Sequence, residues 1–271
     1  MWHNPFLFEK QVSSAAPIAK KGAPKTLNEE IKFDKYEKRR VGYHWEQISK
    51  SVTKMNIFVK ARYGLVLNQV KLSVGKRILD IGCGDGALTY LLSQQKEAYV
   101  IGVDPSVEAI NFAKKKTRDT KNIEFVIASA YNLPFVDDSI DYVFSSDVIE
   151  HLQQPEKMLL EIKRAYNGNG KIIITTPIRF TERPLDRLHV HEFFESDFKE
   201  LLGKFFGANI RIIASHPLVF SELQNRHYII KYFFNLLNLI FRFNPFKNTR
   251  GWRYYAIQTA VIEESQKPRL G

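Results

Sequence analysis

Cysteine is nearly missing: Cys83 is the only one among 271 residues. No disulfide can form within the chain, which excludes a small secreted domain stapled by disulfides and favours a reducing compartment. Long apolar runs are missing as well. No stretch reaches the roughly 18–20 residues that a membrane-spanning helix needs. The start, Met1-Trp2-His3-Asn4-Pro5, has no charged segment leading into an apolar run of the kind a secretory leader carries. The expected location is therefore cytoplasmic. Acidic residues are in deficit, with 29 Asp and Glu against 40 Lys and Arg, a formal charge of +11. That excess calls for nucleic acid, anionic lipid or an acidic substrate, or else it is spread over a solvated surface. It is concentrated at Lys38-Arg39-Arg40, at Lys114-Lys115-Lys116 and across 226–253.

What is present suffices for a sizeable core, with 44% hydrophobic residues. Residues 1–42 mix Pro, Ala, Ser and Lys without periodicity and read as a flexible arm. From 43 to 75, Trp45, Ile48, Val52, Met55, Val59, Tyr63 and Val66 recur at helical spacing and predict a helical cover. Short β-branched runs follow at 77–81, 99–103, 123–127, 142–144 and 171–175, interleaved with helical stretches at 87–95, 106–116 and 155–166. A helix near 196–202 and strands near 208–214 and 254–262 complete the pattern. Alternation of this kind predicts an α/β fold, a Rossmann-like doubly wound sheet of seven strands. The main domain would span 76–263 with an insert at 216–252, and 264–271 would be a tail.

The first run ends in Ile78-Leu79-Asp80-Ile81-Gly82-Cys83-Gly84-Asp85-Gly86-Ala87, and the second ends at Asp104, 22 residues beyond Gly82. A strand, a glycine-rich turn and a helix make a nucleotide-cofactor site, and a carboxylate after the next strand can accept both ribose hydroxyls. Gly82-x-Gly84-x-x-Ala87 also fits the dinucleotide fingerprint. Charge separates the two readings. Asp80 and Asp85 would repel a pyrophosphate, which wants bare helix N–H groups. They suit S-adenosylmethionine, which carries an ammonium and a sulfonium and no phosphate. An NAD-dependent oxidoreductase and a non-catalytic scaffold are the rival readings.

The segment 78–87 with Asp104 resembles the first two motifs of the class I S-adenosylmethionine-dependent methyltransferases. The likeness continues through Ala128-Ser129-Ala130-Tyr131-Asn132-Leu133-Pro134-Phe135 and Phe144-Ser145-Ser146-Asp147-Val148-Ile149-Glu150-His151-Leu152, and ends near Pro177. The resemblance implies a sheet that is mostly parallel with an antiparallel last strand. It places Asp80, Gly82, Gly84 and Gly86, with Cys83 in the same loop, around the methionine part of the cofactor. Asp104 would bind the ribose, and Pro105 or Ser106 would lie against the adenine. Ser129 and Ala130 would border the adenine edge, and Ser146 and Asp147 the sulfonium side. Many relatives carry Asp where this chain has Ser129, so a hydroxyl replaces the charged acceptor there.

Methyl transfer from a sulfonium is an in-line displacement that depends on alignment, and a hydroxyl acceptor also needs a base. His151 and His191 are the leading candidates, with His189, Glu150 and Glu192 beside them. If Val190 points inward along an extended segment, His189 and His191 face the other way together. No metal is assigned. A second cysteine for C5 methylation of pyrimidines is lacking, and Thr175-Thr176-Pro177-Ile178 does not match the Asp/Asn-Pro-Pro-aromatic element of amino-methylating DNA enzymes. Nucleic acid is therefore not the expected partner.

The segment 228–243 is apolar apart from Lys231, Asn235, Asn238 and Arg242, which fall on one helical face. Three readings stand open: a roof over the substrate pocket, an interface in a homodimer, or contact with the inner face of an anionic membrane. The passage 176–193 and the entrance Tyr43-His44-Trp45 are similar to methyltransferases of bacterial surface-polysaccharide and glycolipid synthesis. That likeness puts a sugar or glycan hydroxyl first among acceptors, as a small molecule or lipid-linked, with N-methylation of a sugar amine next.

Overall fold

The computed structural model describes residues 40–70, 75–95, 98–182, 186, 188–207 and 209–263. The predicted arm, apart from 40–42, and the predicted tail lie outside these residues. Two helices, α1 (Tyr43–Ile48) and α2 (Ile57–Leu67), lead into the alternating core. That core runs β1 (Arg77–Ile81), α3 (Ala87–Ser93), β2 (Tyr99–Asp104), α4 (Val107–Lys116), β3 (Ile123–Ile127), β4 (Tyr142–Ser146), α5 (Pro155–Ala165) and β5 (Ile172–Pro177). It continues with α6 (Glu195–Phe206), β6 (Ile210–Pro217), α7 (Leu218–Arg226), α8 (Tyr228–Phe241) and β7 (Tyr255–Ile262).

The strands form one seven-stranded sheet in the order β3-β2-β1-β4-β5-β7-β6. Pairing is parallel from β3 through β5, and β7 runs antiparallel to both β5 and β6. Successive residues of a strand face opposite sides, and the core divides accordingly. Leu79, Ile81, Val143 and Ile174 pack with Met158 and Ile162 of α5 and with Phe198 and Leu202 of α6. Ile78, Val100, Phe144 and Ile173 pack on the other side with Val59 and Tyr63 of α2 and Leu92 of α3. Each such aliphatic side chain contributes about 1.5–3 kcal/mol on burial.

Local chemistry sets several helix ends. Ser106 caps α4 by accepting the Ala109 N–H at 3.2 Å, Pro155 sits in the first turn of α5, and Gly207, at φ 76°, ends α6. Several boundaries differ from the sequence reading by two residues or more. β4 runs two residues further, to Ser146, because its register with β5 carries on to Thr175. α6 continues to Phe206, whose ring the core buries. β6 continues to Pro217, opposite Tyr255 of β7.

The insert is two helices rather than one, and α8 is inverted relative to an ordinary surface helix. Asn235, expected on a solvent-facing polar stripe, is fully buried and donates to the carbonyls of Val52 and Met55 at 2.8 and 2.9 Å. Tyr228, Ile229, Phe233, Ile240 and Phe241 point outward and are more than half exposed. The amide faces inward because the turn before α2 leaves carbonyls that need donors, and an apolar residue there would strand them.

Candidate active site

The order of the strands reverses between β1 and β4, and the carboxyl ends of these strands open into a crevice, as in open α/β sheets generally. A cavity at that point is lined by Asp80, Gly82, Cys83 and Gly84 from the β1 turn and by Val103, Asp104 and Pro105 from β2. Ala128 and Ala130 follow β3; Ser146, Asp147, Val148, His151 and Leu152 follow β4.

The turn is built for close approach. Gly82, at φ 68°, donates its N–H to the Val103 carbonyl at 2.8 Å. A Cβ on Gly82 would lie 2.3 Å from the Val148 side chain. The Asp104 carboxylate accepts the N–H groups of Gly84 and Ser106, both at 2.9 Å. It is thus oriented before any ligand arrives. Asp80 is fully buried and accepts the Thr89 hydroxyl at 2.7 Å. Burial pushes its carboxyl up to about 7, against the pull of the Thr89 hydrogen bond. A buried carboxylate that meets a hydroxyl and no cation among the described residues suits a cationic ligand group.

Asp85 behaves differently from the sequence reading. It is fully buried and its carboxylate accepts the N–H groups of Gly42 and His44, each at 3.1 Å, while the His44 ring lies 3.1 Å from its other oxygen. The Trp45 indole donates to the Asp85 carbonyl at 2.7 Å. Asp85 therefore anchors the start of α1 and does not line the cavity. Of the two charges invoked against a pyrophosphate, Asp80 alone faces the crevice.

Three further expected cofactor residues are not among those that line the cavity. Gly86, at φ 80°, starts α3 and packs against Phe125 and Ala113. Ser106 caps α4, and Ser129 accepts the Tyr131 N–H at 3.1 Å. The sequence reading missed His44, Arg62, Tyr63 and Leu88, which line the cavity from the helices above it. Tyr63 carried only the helical spacing of the cover, which marks packing and not a site, and His44 only the likeness of the Tyr43-His44-Trp45 entrance.

A second cavity adjoins the first. Tyr43, Gln47, Phe58, Glu150, Pro177, Phe180, Asp186, His189 and Glu192 are among the residues that line it. His44, Arg62, Asp147 and His151 line both cavities and form the junction between them. Arg62 of α2 is ion-paired with Asp147, which stands at φ 55° just past β4. A non-glycine residue in that region costs on the order of 1 kcal/mol and is concentrated at functional sites.

A single 3₁₀ turn, Ile149–His151, delivers Glu150 and His151. His151 Nδ1 lies 3.0 Å from the Leu188 carbonyl, which only accepts, so Nδ1 is the donor of that hydrogen bond. Glu150 is fully buried, with one carboxylate oxygen accepting the Thr176 hydroxyl at 3.1 Å and the other without a hydrogen-bond partner. Burial, reinforced by the neighbouring Asp147 charge, pushes the Glu150 carboxyl well above its ordinary value.

His189 and His191 part company. His189 Nδ1 meets Glu192 at 2.7 Å and its ring packs 5.0 Å from that of His151. The His191 ring lies beside Phe193 and lines neither cavity. Val190 points outward, 48% exposed, because the backbone N–H groups of both Val190 and His191 turn in to the Glu150 carbonyl. The segment is a turn, and the alternation expected of an extended strand does not hold.

Comparison with known proteins agrees with this layout. A 105-residue stretch is 37% identical to an uncharacterized methyltransferase of Schizosaccharomyces pombe, covering 35% of this chain and 38% of that one. A 119-residue stretch is 27% identical to phosphoethanolamine N-methyltransferase 1 of Arabidopsis thaliana, over 44% of this chain and 24% of that one. The chain thus matches well under two thirds of the length of either relative. Among solved structures, phosphoethanolamine N-methyltransferase 2 of Haemonchus contortus, in complex with S-adenosyl-L-methionine, superposes with a TM-score of 0.60 at 17% identity, over 87% of this chain and 60% of that one. A family model described as a methyltransferase domain matches residues 72–226, more than half of the chain. With that match and the seven-stranded sheet order already described, the chain belongs to the class I S-adenosylmethionine-dependent methyltransferases.

Proposed function

We propose that the protein transfers a methyl group from S-adenosylmethionine to a hydroxyl of a glycan-derived acceptor, small or lipid-linked. The observation that carries this reading is the junction of two cavities at His44, Arg62, Asp147 and His151. The cofactor crevice takes the adenosine and methionine parts, with the ribose on Asp104 and the ammonium near Asp80. When bound there, the cofactor supplies a methyl group on a sulfonium. Arg62 and Asp147 fix each other at the boundary, and alignment of this kind contributes about 7–11 kcal/mol to such displacements. His151 presents Nε2 to the acceptor side, where a hydroxyl must give up its proton. The second cavity is the roomier, about 1620 Å³ against 870 Å³ with both mouths included, which suits an acceptor of sugar size. The stretch shared with the Arabidopsis phosphoethanolamine enzyme is 27% identical over 44% of this chain and 24% of that one, so its acceptor does not carry over.

The membrane reading of α8 belongs with this function. No residue of α8 lines either cavity, so a pocket roof is not what its position supports. Its outward face is apolar, and no Asp or Glu occurs between Glu222 and Glu263, where Arg226, Lys231, Arg242, Lys247, Arg250 and Arg253 fall. An apolar face with cationic surroundings suits an anionic lipid surface. A lipid-linked acceptor would be met there.

Isothermal titration with S-adenosylmethionine, S-adenosylhomocysteine and NADH tests the first part. Binding of the two methionine derivatives, weakened at least tenfold by Asp104→Ala, is expected; NADH binding alone would refute it. A panel of hydroxyl and amino sugars, free and lipid-linked, read by S-adenosylhomocysteine release, tests the acceptor. Turnover of amines only would shift the assignment to N-methylation.

A further inference from the structure

We infer that Glu150, His151 and His189 hold a divalent transition-metal ion in the second cavity, on which the acceptor's oxygens bind. This inference rests on the methyl-transfer reading above and gives His151 a more specific task within it. One ligand atom from each of the three residues lies within 4.8 Å of the others, the span of a shared ion. In the sequence only His189, His191 and Glu192 stand close together. Folding exchanges His191 for His151 and adds Glu150 from the 3₁₀ turn.

Three independent features make this a built site. First, one carboxylate oxygen of the fully buried Glu150 has no hydrogen-bond partner among the described residues, an arrangement that is costly unless something cationic completes it. Second, both imidazoles are oriented as metal ligands are. His151 Nδ1 is held by the Leu188 carbonyl at 3.0 Å and His189 Nδ1 by Glu192 at 2.7 Å, which points to Nε2 as the ligand atom of each ring. Carbonyl and carboxylate partners on the far nitrogen are the usual second layer around a bound metal. Third, the local charge allows a dication. Asp186 stands 3.9 Å from His189 Nε2, and the Arg62 guanidinium is already paired with Asp147.

Two imidazoles and one carboxylate suit Mn²⁺, Fe²⁺, Co²⁺ or Zn²⁺ and not Mg²⁺ or Ca²⁺, which prefer an all-oxygen set. With three protein ligands the ion keeps open positions that face the acceptor cavity. A hydroxyl bound there loses its proton to water at the cavity mouth at a much lower pH than a free hydroxyl does. The oxygen is then a nucleophile at the junction with the cofactor crevice.

Full-length protein stripped with a chelator and titrated with Co²⁺ tests this. Expected are visible absorption bands saturating at one equivalent, and affinity falling at least tenfold in Glu150→Gln and in His189→Asn. His191→Asn should bind Co²⁺ like the wild type. Binding of S-adenosylhomocysteine by each variant reports that it is folded. Absence of Co²⁺ binding, or binding equal in all variants, overturns the site. Undiminished methylation of a hydroxyl acceptor in chelator would also overturn it while leaving the methyl-transfer reading intact. Failure to bind S-adenosylmethionine would strike that reading alone, since the Co²⁺ titration is read without it.

Discussion

The Asp85 carboxylate accepts the backbone N–H of His44 at 3.1 Å, tying the glycine turn of β1 to the first helix of the cover. A carboxylate at a helix start satisfies donors that have no partner inside the helix. Asp85→Ala leaves the N–H groups of Gly42 and His44 unpaired in a buried place. A loss of about 1–3 kcal/mol in denaturant unfolding is expected. Cofactor affinity should fall with it, because His44 forms part of the junction. Asp85→Asn keeps one acceptor oxygen and should recover part of both.

Both stability and cofactor binding are expected to depend on pH through Asp80. Its carboxyl is raised from 3.8 to about 7 in the folded chain. Between those values the folded state holds a proton that the unfolded state has released, so stability of the cofactor-free protein falls as pH rises through that window. A cationic ligand reverses the sense, since it binds the ionised form. S-adenosylmethionine should therefore bind more tightly at pH 8 than at pH 6. Asp80→Asn should flatten the stability slope and weaken binding at least tenfold at pH 8, with a smaller effect at pH 6. Calorimetry and thermal unfolding across pH check the two together. Equal affinities at both pH values in the wild type would contradict the assignment of Asp80 to the ammonium.

Gly82→Ala combines two faults. The new methyl would sit 2.3 Å from Val148, and the backbone is held at φ 68°. A destabilisation of about 2–4 kcal/mol is expected, with loss of cofactor binding. Adding Val148→Ala removes the contact but not the backbone strain, so stability should return only in part. Full recovery would mean that the positive φ is of no consequence.

Vesicle sedimentation reads the outward face of α8. Wild-type protein should sediment with vesicles rich in anionic lipid, less so with neutral ones and less at high salt. Phe233→Glu with Ile240→Glu should abolish it without changing cofactor affinity, because neither side chain lines a cavity. Concentration-dependent self-association of the wild type, lost in the double variant and with no lipid binding, would assign the face to a second copy of the chain.

Much of the cofactor half could be read in advance, for a physical reason. Strand alternation, the glycine turn and the acid after β2 are local patterns, and the fold needs them at fixed spacings. What escaped depends on contacts between distant segments. Asp85 carries the same charge as Asp80 five residues earlier, but only the folded chain shows that α1 consumes it. Arg62 looked like one cation among many on an amphipathic helix until Asp147 met it from 85 residues away. The pairing of His189 with His151 and Glu192, in place of His191, depends on a turn that no periodicity reveals. Asn235 matched the helical stripe, but which way the stripe faces is decided by carbonyls more than 170 residues upstream.

The late insert grips the front of the molecule. Asn235 donates to the carbonyls of Val52 and Met55, Asn244 to that of Ile57 at 2.8 Å, and the buried His216 to that of Phe58 at 2.9 Å. These four carbonyls frame the entry to the helix that carries Arg62. A chain cut short before residue 216 would keep every cofactor motif and still lose the clamp that aims the guanidinium. What looks in sequence like an appendage to a finished domain is thus half of the frame around the second cavity.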